Sequence, residues 1–216
     1  MTLEWLPSYD GLGPTDYMTH SGAQILSLGA LEAAPRLIGM VLSTPDASGR
    51  IVETEAYTED DPASHSYRGQ RTSNAAMFLG AGHIYVYRSY GVHWCLNLVT
   101  GEAGVGEAVL IRALEPLTGI EAMSRRRKGA NLKRLCAGPG NVALALGLDG
   151  SHSGSRLGEH LALSGETTQQ EVCVGQRVGI SAAVDWPRRF ALSGSRHVSR
   201  SIRAVATLTS VELSPK

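Results

Sequence analysis

The chain has 216 residues, 43% of them hydrophobic and 19% charged, with 20 basic and 20 acidic side chains and no net formal charge. That length can bury a sizeable core in one domain, and the composition excludes disordered, collagen-like and disulfide-dense classes. No apolar run reaches the roughly 18 residues of a membrane span, and the opening MTLEWLPSYDGLG, with an early acid and no basic n-region, is not expected to be a secretion signal.

Residues 1–20, with Pro7, Gly11, Gly13 and Pro14, read as an irregular tail ahead of a single domain over 21–216. Ile25, Leu28 and Leu31 at helical spacing predict a helix over 22–34, closed by Pro35. Strands are expected at Leu37–Ser43 and Arg50–Tyr57, joined by a turn over Pro45–Gly49. The polar stretch from Thr58 to Asn74 is long for a structureless connection, and such loops are often functional. His83–Arg88 and His93–Val99 predict a hairpin around Ser89-Tyr90-Gly91, followed by a strand over Glu107–Leu114. Helices are expected at Ile120–Arg126 and Asn141–Leu146, and the last third mixes short apolar runs such as Val172–Ile180 with Gly- and Ser-rich turns. These elements predict an α+β domain on a largely antiparallel sheet with flanking helices.

Charge is unevenly placed. Arg125, Arg126, Arg127, Lys128, Lys133 and Arg134 form one basic segment, and Arg188, Arg189, Arg196, Arg200 and Arg203 a second, while Glu53, Glu55, Glu59, Asp60 and Asp61 crowd an acidic one. Segregated basic surface is what phosphate binding requires, although a solvated face has the same signature. Cys95, Cys136 and Cys173 are odd in number and far apart, which suits a reducing compartment. None pairs with a histidine at zinc-ligand spacing, so no metal is expected.

Seven of the twelve aromatic residues fall between Tyr57 and Trp94. In HIYVYR, His83, Tyr85 and Tyr87 alternate with Ile84 and Val86, and in HWCLNL, His93, Cys95 and Asn97 alternate with Trp94, Leu96 and Leu98. An odd hairpin loop or a bulge brings the two polar-aromatic faces together, lining a pocket suited to a planar heterocycle. On the preceding strand Glu53, Glu55 and Tyr57 share a face. A carboxylate beside an aromatic platform is a candidate general base, and pairing with an arginine such as Arg112 is the structural alternative.

The strings GRIVETEAY, ASHSYRG, AAMFLGAGHIYVYRSYGVHWCLN, LIRALEPLTGIEAM and LCAGPGNVALALG, in this order, resemble the alkyladenine (3-methyladenine, methylpurine) DNA glycosylase family from about residue 23 to about residue 200. The resemblance implies a monofunctional enzyme that flips alkylated or deaminated purines out of double-stranded DNA and hydrolyses the N-glycosidic bond. It would work as a cytoplasmic, nucleoid-associated monomer without cofactor, metal or membrane. Glu55 then matches the general base that activates a water, and Arg112 and the main-chain carbonyl of Val178 match groups that hold that water. Tyr57, His65 and Tyr87 match the residues that sandwich the flipped base, and Asn97 one that crowds guanine's exocyclic amine. Tyr90 matches a ring that intercalates from a protruding hairpin. Contacts to the DNA backbone are expected from Arg71, Thr72, Arg125, Arg126, Lys128 and Arg189. Lyase chemistry needs an amine nucleophile. Lys128, Lys133 and Lys216 all lie outside the pocket motifs, so strand scission is not expected. A nucleic-acid-binding module without catalysis and a hydrolase of free nucleosides are the competing classes.

Overall fold

The computed structural model describes residues 18–213. Most of the expected tail lies outside them, and its boundary moves: Met18 bridges Leu163, Thr19 caps a helix through its side chain, and His20 opens that helix. The helix expected over 22–34 is two, α1 (His20–Ser27) and α2 (Ala30–Arg36), because Leu28 and Gly29 are extended and the Glu107 carboxylate accepts from the Ala30 N–H at 2.8 Å. Pro35 sits inside α2, where it has no N–H to offer the carbonyl four residues back, and the helix ends one residue later at Arg36. The strand expected from Leu37 starts only at Val41. The Met40 N–H bonds back to the Leu37 carbonyl, and Gly39 takes a φ of 99°, letting the chain pass close against Thr168.

From there β1 (Val41–Thr44) turns tightly into β2 (Ala47–Tyr57). The strands β3 (Ile84–Ser89) and β4 (His93–Val99) pair as a hairpin, β3 lying one residue later than expected with Ser89 inside it, and β5 (Ala108–Thr118) runs longer than its apolar pattern, through Pro116. After Gly119, α3 (Ile120–Arg126) has the predicted bounds, and α4 (Pro139–Leu146) begins with a proline in its first turn. Short pieces follow: β6 (Ala162–Ser164), β7 (Val172–Gly175), β8 (Arg189–Leu192), β9 (Ala206–Leu208) and α5 (Ser210–Leu213). The apolar run expected over 172–180 thus leaves the sheet at Gly175, and Arg177–Ile180 is loop. The polar stretch after Tyr57 is a series of turns that ends in a 3-10 helix at Thr72–Phe78.

Among the described residues nine strands form one sheet with the order β3-β4-β5-β2-β8-β7-β9, in which β1 pairs with both β2 and β6. All of these pairings are antiparallel. The fold is therefore α+β on an antiparallel sheet. Ile84, Val86, Leu96, Leu98, Val109 and Ile111 enter the main core with Leu26, Ala33 and Val142 from the helices. Burial of each large apolar side chain contributes about 1.5–3 kcal/mol. The helix-facing side of β2 is marked by Thr54, whose hydroxyl donates to the Ala34 carbonyl at 2.9 Å. Glu53 and Glu55 point to the other face of the strand. Among the described residues no helix is long and apolar enough to cross a membrane.

Candidate active site

Three residues, Tyr90-Gly91-Val92, join β3 to β4, so Tyr85 pairs with Asn97, Tyr87 with Cys95 and Ser89 with His93. The odd loop places the two polar-aromatic rows on one face, leaving Ile84, Val86, Leu96 and Leu98 to the core. These rows wall a cleft of about 820 Å³ together with Tyr57, the Pro62–His65 loop, the first turn of α4 and the Val178–Ala182 loop. Tyr85 and Tyr87 stack at 5.6 Å between ring centroids, and His65 meets Tyr87 edge-on at 4.4 Å. His65 Nδ1 hydrogen-bonds the Tyr85 hydroxyl at 2.7 Å. Asn97 is buried and donates through Nδ2 to the Tyr85 carbonyl at 3.0 Å. Gly140, in the first turn of α4, abuts His93: a Cβ there would lie 2.8 Å from the His93 Cβ, so the hairpin can approach the helix only at glycine.

Behind this cleft the β2–β5 register slips on both sides of Glu53, passing over Val52 on one strand and Arg112 on the other. Such bulges re-aim side chains beside functional sites. Here the slip brings Arg112 between two carboxylates, with Nε 3.1 Å from Glu53 Oε1 and one terminal nitrogen 3.2 Å from Glu55 Oε2. Glu55 is fully buried and accepts two further bonds, from the Tyr57 hydroxyl to Oε2 at 2.9 Å and from the Val178 N–H to Oε1 at 2.8 Å. The Val178 carbonyl lies 3.5 Å from the same Arg112 nitrogen. Tyr57, Arg112 and Val178 all line the cleft, so the carboxylate stands directly behind its wall.

Burial pushes the Glu55 carboxyl above its ordinary value, against the opposing pull of Arg112, the Val178 N–H and the Tyr57 hydroxyl. Burial and the neighbouring Glu55 raise Tyr57, which keeps its proton and serves as donor. The rings of Tyr85 and Tyr87 are likewise raised by burial. His65 moves the other way: although one edge opens to the cleft, its packing depresses its pKa, so the imidazole is held neutral. Tyr57, Tyr85 and Tyr87 thus keep their protons beside a carboxylate whose own proton affinity is raised.

The remaining expectations divide. Tyr90, at the hairpin tip, is 88% exposed and takes a left-handed φ of 49°, a conformation unusual outside glycine. Arg71 and Thr72 are exposed on a second cleft flanking the hairpin, and Arg125 and Lys128 are exposed at the end of α3. Arg126 instead bonds Asp46 and the Ala145 carbonyl, at the end of β2 remote from Glu55. Arg189 corrects the phosphate expectation outright: it is 3% exposed, with Nε 2.7 Å from Glu53 Oε1, and presents no charge to the surface. Cys95 and Cys136 are buried free thiols, and burial raises both. Among the described residues no group of three or more His, Cys, Asp or Glu gathers as a metal site.

Arg177 and Ser199 went unnoticed in the sequence, and Asp61 and Arg188 were seen only as members of charged runs. Arg177 stacks its guanidinium 4.7 Å from the Tyr57 ring centroid and pairs with fully buried Asp61, which Arg188 also contacts at 3.2 Å. This pair ties the loop bearing His65 to the loop bearing Val178, beneath the ring both adjoin. Ser199 supplies its hydroxyl to Glu53 at 2.8 Å. No short-range pattern marks these contacts, because their partners lie 116 and 146 residues apart in the chain.

These features belong to a known class, the DNA glycosylases. The family model described as Methylpurine-DNA glycosylase matches residues 24–196. A protein of Agrobacterium fabrum (strain C58) named "Putative 3-methyladenine DNA glycosylase" is 50% identical over 174 residues, covering 79% of this chain and 88% of its own. Proteins of the same name from Rhodopseudomonas palustris (strain BisB18) and Nitrosospira multiformis are 49% and 47% identical, covering 78% and 82% of this chain and 85% and 92% of theirs. The chain belongs to the methylpurine-DNA glycosylase family, hydrolases of N-glycosyl bonds in DNA repair, with DNA as substrate.

Proposed function

We propose that this protein is a monofunctional glycosylase that flips alkylated or deaminated purines out of duplex DNA into the cleft and hydrolyses the bond to the sugar, initiating base excision repair. The observation that carries this reading is the position of Glu55, fully buried behind a cleft walled by Tyr57, Tyr87 and His65. His65 and Tyr87 touch each other, so the flipped base stacks between Tyr57 on one side and the His65–Tyr87 pair on the other. Asn97 crowds the exocyclic amine of normal guanine. Extrusion costs a few kcal/mol, least where a lesion already pairs poorly. Tyr90 offsets part of that cost by filling the gap left in the stack.

Each carboxylate oxygen has two lone-pair directions, and Glu55 Oε1 spends only one, on the Val178 N–H. The other is the natural acceptor for a water proton. Arg112 and the Val178 carbonyl hold the water while its oxygen attacks the anomeric carbon of an oxocarbenium-like sugar. The proton passes to Glu55, and the C–N bonding pair leaves with the base. An alkylated purine is cationic and departs neutral, so one carboxylate suffices. Hypoxanthine requires protonation on leaving and is the slower substrate. Arg71, Thr72, Arg125 and Lys128 meet backbone phosphates around a single protein monomer.

Incubation with duplexes carrying 3-methyladenine, 7-methylguanine or hypoxanthine, beside the matching free nucleosides, tests the reading. Base release from duplexes and none from nucleosides is expected. Efficient cleavage of nucleosides favours the nucleoside hydrolase, and lesion binding without release favours a binding module.

A further inference from the structure

The carboxylate two residues before Glu55 has no place in that reaction, yet it is the more heavily bonded of the two. Glu53 is fully buried, and its Oε1 accepts from Arg112 Nε at 3.1 Å, Arg189 Nε at 2.7 Å and the Ser199 hydroxyl at 2.8 Å. Its Oε2 takes the Ser199 N–H. Arg189 is itself fixed, donating to the Arg200 carbonyl at 2.6 Å. The guanidinium of Arg112 is then divided: Nε goes to Glu53, one terminal nitrogen to the Ser199 hydroxyl at 3.4 Å, and the other to Glu55 and the Val178 carbonyl. A guanidinium is planar and rigid, so holding two nitrogens aims the third.

We propose that Glu53, braced by Arg189 and Ser199, is a positioning residue that aims Arg112 at Glu55 and fixes the charge around it. The proposal rests on the reading of Glu55 as the base. Ser199 lies beyond residue 196, where the family match ends, so the segment after β8 completes the site. The cluster balances two carboxylates, Glu53 and Glu55, against two guanidiniums, Arg112 and Arg189. Glu55 is faced by Tyr57 and Glu53 on its own strand, Arg112 on β5, Tyr87 on β3, Cys95 on β4 and its cross-strand partner Arg189 on β8. Loss of the Glu53 charge leaves a positive excess that favours ionised Glu55.

The test measures single-turnover base release from a 7-methylguanine duplex across pH, with duplex affinity measured alongside, for Glu53→Gln, Glu53→Asp, Ser199→Ala and Glu55→Gln. Glu53→Gln should move the acidic limb of the rate profile down by about one pH unit and lower the plateau rate by about 10²-fold, leaving affinity within a few fold. Glu53→Asp and Ser199→Ala keep the charge, so they should slow the plateau while leaving the limb in place. A merely structural Glu53 would reduce the amount of folded protein without moving the limb. Glu53→Gln with a wild-type limb and plateau, beside an inactive Glu55→Gln, overturns this proposal alone. An active Glu55→Gln overturns the reading beneath it. Should Glu53→Gln fail to fold, Ser199→Ala decides: a slowed plateau at unchanged affinity supports the proposal, and an unchanged plateau refutes it.

Discussion

The main-chain N–H of Val178 donates to Glu55 Oε1 at 2.8 Å, joining a loop after β7 to a strand 123 residues earlier in the chain. This bond places the carboxylate against the cleft wall, and with Arg112 and Tyr57 it makes every partner of Glu55 a donor. Donors stabilise the anion. Burial opposes them and wins, and a carboxylate left basic by that imbalance is suited to taking a proton from water.

Base release should therefore fall as pH drops through a limb above 4.5, the ordinary value for a glutamic acid. The base works only when deprotonated, and its raised pKa moves the loss of activity upward. A single-turnover pH profile checks this, and a rate that stays flat to pH 4.5 contradicts it.

Tyr90 makes little packing in the free protein, with 88% of its surface exposed. Tyr90→Ala should leave thermal stability unchanged and weaken affinity for lesion duplexes by about 10-fold or more, in line with about 1–3 kcal/mol per stacked base. Chemistry on the saturated complex should slow less than binding weakens. The reverse order removes the ring from the duplex.

Arg125 and Arg189 carry equal charge and should behave oppositely. Arg125→Ala should reduce the slope of log affinity against log salt by about one, as for a lost phosphate contact. Arg189→Ala should leave that slope alone and destabilise the fold, because it strips a partner from buried Glu53. Equal changes in salt slope would contradict the burial of Arg189.

Asp61→Ala removes the partner of Arg177, whose side chain is fully buried. Breaking such a pair should cost about 3–5 kcal/mol in a urea unfolding series, since an uncompensated charge stays inside. A cost under about 1 kcal/mol, the range of an exposed pair, would contradict that burial.

The legible part of this protein was carried by period-two alternation. It put Glu53, Glu55 and Tyr57 on one face and separated Tyr85 and Tyr87 from Ile84 and Val86. Whether the rows of β3 and β4 met depended on a loop of three residues, which alternation alone left open. The single helix over 22–34 failed because the Ala30 N–H has a cap from Glu107, 77 residues away. Arg189 was misjudged because charge counted along the chain ignores that Arg189–Leu192 is a strand seated beside β2. Arg177 and Ser199 were invisible, and Asp61 only one of a run of acids, for a related reason: each matters through a partner that only the fold brings near.

The central claim is that the Glu55 carboxylate, and no other group, activates the water. The most direct measurement is single-turnover release of 7-methylguanine by Glu55→Gln at a saturating concentration of enzyme, beside its affinity for the same duplex. Release reduced by about 10³-fold or more with affinity kept within a few fold is the predicted result. Release within a few fold of the unaltered protein would contradict it.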